Sequence, residues 1–77
     1  MEEAQEIRFE IVRKYGCLSE TGRGWRKELN FVSWNEREPK LDIRDWNEDH
    51  SRMGKGVTFS REEAVKLYEL LGAYLKR

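Results

Sequence analysis

The chain has 77 residues, of which 39% are charged and 38% hydrophobic, so it can form one small domain with a thin core. Its 15 basic and 15 acidic residues balance, and bulk charge indicates neither a nucleic-acid nor a membrane partner. A single cysteine and a single histidine exclude an internal disulfide and a zinc cluster of Cys and His ligands. No apolar run approaches the roughly 20 residues of a membrane span. We expect one domain over residues 1–77, without metal or cofactor, in the reducing cytoplasm or at the nucleoid.

The first predicted element is a strand from Ile7 to Val12. Apolar residues at positions 7, 9 and 11 alternate with charged ones, a period of two that is typical of a strand with one buried face. Gly16 then interrupts the pattern, which indicates a bulge or a bend before the strand resumes through Leu18. A glycine-rich turn follows over residues 20–24.

Three further strands are predicted, each after a polar or glycine-rich turn, over residues 25–34, 41–46 and 57–59. Alternation places one set of large apolar residues together, and we expect this set to form the buried side of the sheet: Leu29, Phe31, Leu41, Ile43, Val57 and Phe59. Trp34 and Trp46 fall on the opposite side of their strands. We therefore expect both tryptophans to lie outside the main core and to be partly exposed.

The last predicted element is a helix from Arg61 to about Lys76. Ser60 and Glu63 have the spacing of a capping box, in which each side chain bonds the backbone of the other residue. Apolar residues cover an arc of roughly 220° around this helix, which is wider than one sheet can cover. We expect the helix to pack on its own sheet and also on the same helix of a second copy. The residues predicted at this dimer interface are Leu67, Leu71, Tyr74 and Leu75.

Catalytic chemistry has little support in the sequence, because a nucleophile needs a neighbouring base and a third group that orients the base. His50 lies in a polar loop over residues 47–56, and no residue pattern identifies a partner for it or for Cys17. We expect His50 to be a solvated loop residue. The chain is therefore predicted to be a binding protein and not an enzyme.

The side of the sheet opposite the predicted core combines aromatic rings with cations. Trp34 and Trp46 share this side with Arg26, Asn30 and Arg44. Single-stranded nucleic acids bind to such surfaces, because bases stack on aromatic rings while Lys and Arg contact phosphates. Acidic residues on the same side dilute its positive charge. The alternative that the tryptophans form a second core, a dimer interface or a docking site for a protein partner therefore stays open.

Several segments of the sequence resemble a known family. Residues 42–46 read Asp-Ile-Arg-Asp-Trp, and residues 53–60 read Met-Gly-Lys-Gly-Val-Thr-Phe-Ser before the Glu62-Glu63 helix start. This arrangement resembles the positive cofactor four family of transcriptional coactivators, and the run from Gly24 to Asn30 is similar to its bacterial YdbC-type branch. The resemblance implies an α+β fold, with a curved four-stranded antiparallel sheet followed by one helix. It also implies a homodimer through the helices and sequence-independent binding of single-stranded DNA.

The resemblance further implies particular site residues. Arg44 and Lys55 match the arginine and lysine that contact DNA in the family, and Trp46 occupies an aromatic position of the motif. Trp34 and Arg26 replace a stacking phenylalanine and a cation of the preceding strand. With the residues from the strand pattern, the predicted nucleic-acid site comprises Arg26, Asn30, Trp34, Arg44, Trp46 and Lys55. The expected role is in transcription, replication or repair, with single-stranded RNA or a protein partner as alternative ligands.

Overall fold

The computed structural model describes residues 7–76, in which four β-strands precede one α-helix. The elements are, in chain order, β1 Phe9–Glu20, β2 Arg26–Trp34, β3 Lys40–Trp46, β4 Met53–Phe59 and α1 Arg61–Leu75. Each strand pairs with the next in antiparallel orientation, which gives one sheet in the order β1-β2-β3-β4. The predicted α+β fold, a four-stranded antiparallel sheet followed by a helix, is confirmed.

Strand β4 is longer than predicted. Its first half contains two glycines, which have low β-propensity, so the sequence did not indicate a strand there. It starts at Met53, and Gly56 pairs with Arg44 of β3. A Cβ atom at Gly56 would overlap the Cβ atom of Arg44 and crowd the carbonyl oxygen of Ile43, so only glycine fits at this position of β4. Val57, which was expected on the buried side, is exposed.

Strand β1 has a bulge at every third residue. Its 12 residues lie opposite the 9 residues of β2, and the register skips Val12, Tyr15 and Leu18 in turn. Each skipped residue is an apolar residue with an exposed side chain. Because each bulge adds twist and bends the strand that carries it, three of them in succession make β1 a strongly bent edge of the sheet.

The sheet curls strongly around one of its faces. Phe9 pairs with Trp34 at the end of β2. Trp46 pairs with Arg26 at the start of β2. In a flat strand those two ends would lie roughly 26 Å apart at about 3.3 Å per residue, yet the ring centroids of Phe9 and Trp46 are 5.0 Å apart. The predicted curvature is therefore confirmed, and the bulges of β1 give a physical cause for it.

The face inside the curl is here called the polar face, and its residues are Arg26, Glu28, Asn30, Val32 and Trp34 of β2 with Asp42, Arg44 and Trp46 of β3. The opposite side of the same two strands is called the apolar face, and its residues are Leu29, Phe31, Leu41 and Ile43. The two sets alternate along β2 and β3, as the strand period requires.

The polar face is the more buried of the two. Its Val32 and Trp46 are fully buried, and its Glu28, Asn30 and Asp42 expose 5% or less. All residues of the apolar face are only half-buried. The prediction that the apolar face forms the core, with Trp46 outside it, is therefore wrong. The inside of a curl is covered by its own sheet, whereas the outside needs another element to cover it.

Helix α1 begins as predicted. The Oγ atom of Ser60 accepts from the backbone N–H of Glu63 at 3.1 Å, and the N–H of Ser60 donates to Glu63 Oε1 at 2.9 Å, which confirms the capping box. Within residues 7–76 the helix contacts the sheet at β3 and β4 alone, and Ala64 and Leu67 are half-buried. Most of its apolar side is exposed. No helix in this part of the chain is long and apolar enough to cross a membrane.

Candidate nucleic-acid interface

Most of the predicted site residues share the polar face. Strands β2 and β3 bring together the side chains of Arg26, Asn30, Trp34, Arg44 and Trp46. Lys55 lies on β4 beside Gly56, the residue that pairs with Arg44, and its side chain is exposed. Strand alternation therefore predicted correctly which residues of β2 and β3 group together, although it assigned the wrong burial to the group.

Arg44 is held by contacts on two sides. Its Nε donates to both carboxylate oxygens of Asp42 at 2.9 and 3.1 Å, and its Nη2 donates to Oδ2 at 2.9 Å. Its Nη1 donates to the carbonyl oxygen of Gly54 at 3.4 Å. The guanidinium carbon also lies 4.6 Å from the centroid of the Trp34 ring, within the range of a cation–π contact. The guanidinium is thereby fixed against the half-buried indole.

Asp42 compensates the charge of Arg44. The carboxylate has no exposed surface, and it reaches the guanidinium because residues 42 and 44 point to the same face of β3. A buried carboxylate needs such a partner, since leaving it unpaired would cost several kcal/mol. The guanidinium of Arg44 therefore has few N–H donors left for a ligand, and its charge is already balanced by Asp42. It offers a ligand mainly its flat face.

Glu28 is the centre of a second polar network. Nε2 of His50 donates to it, 2.9 Å from Oε1 and 3.2 Å from Oε2, and Nδ2 of Asn30 donates to Oε1 at 3.1 Å. Burial alone would raise the pKa of the Glu28 carboxyl. The hydrogen bonds from His50 and Asn30, with the charges of His50 and Arg26, outweigh burial and hold this pKa below its ordinary value of 4.5.

His50 is not the solvated loop residue that the sequence predicted. The loop between β3 and β4 carries its ring to the polar face, where it lies 5.3 Å from the Trp46 ring, and the residue has a φ of 61°. Its side chain is mostly buried. No local pattern could have shown this contact, because His50 and Glu28 are 22 residues apart in the chain.

Two of the predicted site residues lie below the surface. Trp46 packs between Phe9 and His50, at centroid distances of 5.0 and 5.3 Å, and Asn30 exposes 1% of its surface. The prediction that Trp46 is partly exposed is therefore wrong, because β1 and the β3–β4 loop cover it. In this structure both residues support the site from beneath.

Two exposed cations beside the site were not predicted. Asn35 and Glu36 form a tight turn with positive φ values of 51° and 65°, which is the type I′ geometry of a short hairpin. The N–H of Arg37 donates to the carbonyl oxygen of Trp34 at 2.9 Å and closes this turn. Arg37 and Lys40 thereby line one cavity with Trp34. The hairpin turn was the only signal in the sequence for this placement.

The titratable side chains of the site do not form a metal centre. The carboxylate of Asp42 is occupied by Arg44, and that of Glu28 is occupied by His50 and Asn30. Between Ile7 and Lys76, no group of three or more His, Cys, Asp or Glu side chains is arranged to hold a metal ion.

Comparison with known proteins identifies the family. The sequence profile described as Transcriptional Coactivator p15 (PC4) matches residues 21–70, which include β2, β3, β4 and most of α1. The chain belongs to the PC4 family. A relative from Treponema pallidum (strain Nichols), described as an uncharacterized protein, is 48% identical over 68 residues, which cover 88% of this chain and 80% of the relative. The family expected from the sequence motifs is thus confirmed.

The PC4 match places the polar face within the part of the chain that defines the family. All six predicted nucleic-acid residues, from Arg26 to Lys55, fall inside residues 21–70. Membership of the PC4 family suggests nucleic-acid binding and a coactivator-like function.

Proposed function

We propose that this chain binds single-stranded DNA without reading its sequence. The observation that carries the proposal is the cation–π contact of Arg44 with Trp34, with a guanidinium carbon to ring centroid distance of 4.6 Å. An indole and a guanidinium plane both accept the flat face of a base, and every base has such a face. A binding role, rather than catalysis, also agrees with membership of the PC4 family.

Exposed cations would contact the phosphates. Lys55 is exposed on β4 next to Gly56, the residue that pairs with Arg44, and within residues 7–76 its ammonium group forms no ion pair. The side chain of Arg26 is partly exposed. Its Nε atom lies 3.8 Å from Oε2 of Glu20 and 3.9 Å from Oε2 of Glu28. Because Asp42 balances Arg44, we assign Arg44 to stacking and Lys55 to phosphate binding. Asn30 and Trp46 act in this proposal by supporting the exposed residues.

We also propose that the protein acts as a homodimer. Leu71 and Leu75 of α1 expose 47% and 74% of their surfaces, and Tyr74 is also exposed. Exposed apolar patches of this kind mark interaction surfaces, and a small domain with a thin core gains stability by covering them. The proposed interface consists of Leu67, Leu71, Tyr74 and Leu75 of each copy.

The binding proposal is tested by titration with oligothymidine, followed by tryptophan fluorescence at several salt concentrations. We expect salt-sensitive quenching, and weaker binding of duplex DNA, because paired bases cannot lie flat on a ring. Trp34→Ala should weaken binding by about five-fold or more, since a stacked base contributes roughly 1–3 kcal/mol. If oligothymidine does not quench the tryptophan fluorescence at low salt, the result would contradict the proposal and favour a protein partner.

Two controls sharpen this test. Trp25→Ala removes a tryptophan that precedes β2 and is not among the residues of the polar face, and it should leave oligothymidine affinity nearly unchanged. An equal loss in Trp25→Ala and Trp34→Ala would show that the contact of Trp34 with Arg44 is not the binding surface. Oligouridine in place of oligothymidine measures the RNA alternative, and tighter binding of oligouridine would overturn the assignment to DNA.

A further inference from the structure

His50 reaches the polar face from the loop that joins β3 to β4, residues 47–52. The N–H of Asn47 donates to the carbonyl oxygen of Arg52 at 3.1 Å, and the N–H of Arg52 donates to Oδ1 of Asn47 at 2.9 Å. The N–H of His50 donates to the carbonyl oxygen of Asn47 at 3.1 Å. His50 has a φ of 61°, a left-handed conformation that a residue other than glycine keeps only where surrounding contacts hold it. The folded loop therefore presents the imidazole to the sheet.

The imidazole meets a carboxylate that is almost completely buried. Nε2 of His50 lies 2.9 Å from Oε1 and 3.2 Å from Oε2 of Glu28, which exposes 5% of its surface. Burial raises the pKa of the Glu28 carboxyl, but the hydrogen bonds from His50 and Asn30 outweigh it and hold this pKa below its ordinary value. Glu28 is therefore an anion at neutral pH, and a proton on His50 places a cation directly against it.

Without a charge on His50, the ionisable groups of the sheet that face it balance. Two cations and two carboxylates belong to the polar face itself: Arg26, Arg44, Glu28 and Asp42. The residues of β1 that pair with positions 26, 28 and 30 add one carboxylate, one thiol and one amine: Glu20, Cys17 and Lys14. The residues of β4 that pair with positions 42, 44 and 46 carry no charge: Thr58, Gly56 and Met53. One proton on His50 therefore gives these groups a net positive charge.

The loop itself adds two carboxylates, Glu48 and Asp49, and both residues are exposed. The carboxylate of Asp49 accepts from the hydroxyl of Ser51 at 2.7 Å and from its backbone N–H at 3.1 Å. It is thus bonded within the loop, and Glu28 is the carboxylate that the imidazole contacts.

Arg26 connects the buried pair to the surface that a nucleic acid would contact. Its Nε lies 3.9 Å from Oε2 of Glu28, and its side chain is 39% exposed. While His50 is neutral, Glu28 offsets part of the charge of Arg26. Once His50 is protonated, the imidazolium balances Glu28, and more of the charge of Arg26 acts on a phosphate.

We propose that His50 makes nucleic-acid binding by the polar face proton-dependent, with tighter binding when the imidazole is protonated. Histidine is the side chain whose charge ordinarily changes between about pH 5 and pH 8, and this chain has one. His50 is a positioning residue here, because it acts through Glu28 and Arg26 and does not touch the ligand. This inference rests on the proposed function and adds to it a regulation by pH.

The proton dependence is tested by measuring the oligothymidine affinity of the parent chain from about pH 8 to about pH 6, at one low salt concentration. Neither thymine nor the phosphodiester gains a proton in this range, so a change reports on the protein. A unit charge roughly 10 Å from a phosphate changes affinity by about two- to fifteen-fold, for dielectric constants of about 80 to 20. We expect the affinity to rise by an amount within this range towards pH 6.

His50→Gln is the matched variant, because its amide can donate to Glu28 but gains no proton. Its affinity should stay nearly constant between about pH 8 and pH 6. Cys17→Ser is the control for the thiol that pairs with Glu28 across β1 and β2, and it should keep the pH profile of the parent. Thermal unfolding curves at each pH check that both variants are folded.

A second measurement uses the parent chain alone and does not depend on any variant. The single histidine gives one set of imidazole proton resonances in an NMR spectrum, and their shift with pH follows His50 directly. Coupling between two ligands is reciprocal, so oligothymidine that prefers the protonated form must raise the pH midpoint of this shift. An unchanged midpoint would overturn the inference.

The outcomes separate this inference from the function on which it rests. A parent chain that binds oligothymidine at no pH overturns both. A parent that binds equally well at both ends of the pH range, or a pH profile that His50→Gln retains, overturns the proton dependence alone. A rise in affinity towards low pH that His50→Gln abolishes, together with a raised midpoint, supports the inference.

Discussion

The two faces of the sheet invert the usual relation between polarity and burial. On the polar face, Asp42 and Glu28 expose 5% or less of their surfaces, whereas all four residues of the apolar face are only half-buried. In ordinary small domains apolar side chains fill the interior and charged ones stay outside. The difference shows that burial in this chain follows the curl of the sheet, and that much of its apolar surface stays exposed in the single chain.

The buried charges are tolerated because each has partners. Asp42 accepts three hydrogen bonds from Arg44, and Glu28 accepts from His50 and Asn30. Burial of a carboxylate without such donors would cost far more than these contacts contribute. The two buried carboxylates of the polar face are therefore satisfied within one chain, whereas the apolar side of α1 is exposed.

The largest expected effect is on stability, in Trp46→Ala. The ring lies between Phe9 and His50 with no exposed surface, so its loss should lower the free energy of unfolding by about 3–5 kcal/mol. Trp34→Ala removes a half-buried ring and should cost clearly less. Urea denaturation of both variants at one protein concentration measures the difference. Equal losses would contradict the unequal burial of the two tryptophans.

A comparable loss is expected in Arg44→Ala. The change leaves the carboxylate of Asp42 buried without its cation, which typically costs about 3–5 kcal/mol. The double variant Asp42→Asn/Arg44→Ala removes the uncompensated charge and should recover part of this loss. If chemical denaturation shows the double variant to be no more stable than Arg44→Ala, the ion pair does not support the polar face.

Leu71→Asp tests whether the exposed apolar side of α1 forms the proposed dimer interface. A charge on the apolar side of α1 should weaken the proposed dimer at least a hundred-fold, or about 2.8 kcal/mol at 1.4 kcal/mol per ten-fold. Sedimentation equilibrium measures the dissociation constant. Lys66→Asp is the control, because it places the same side chain on the charged side of the helix and should leave the dimer intact. A parent chain that sediments as a folded monomer at all concentrations would refute the dimer.

The smallest expected effect is on the pH dependence of stability. Because the pKa of Glu28 is lowered on folding, the unfolded chain binds its proton more readily. The resulting stabilisation is complete above the ordinary value of 4.5 and is lost as pH falls through the folded value. Glu28→Gln should therefore show a smaller loss of stability than the parent between about pH 5 and pH 3. Parallel curves for the two proteins would contradict the lowered pKa.

Local patterns determined most of the secondary structure and the family. The capping box of Ser60 and Glu63, together with apolar residues at helical spacing, predicted α1 almost to the residue. Alternation predicted β2 and β3 and the grouping of Arg26, Trp34 and Arg44. These features depend on residues close in sequence, so they can be recognised without knowledge of the fold.

Only the tertiary structure decided which face is buried and what completes the site. Alternation separates two faces of a strand, but it cannot tell which one a curled sheet encloses. That choice depends on the bulges of β1 and on contacts between distant residues, such as Phe9 with Trp46 and His50 with Glu28. The position of Arg37 beside Trp34 depends likewise on a turn geometry. The sequence alone therefore predicted which residues share one face of β2 and β3, and the curvature of the sheet determined which of them are buried.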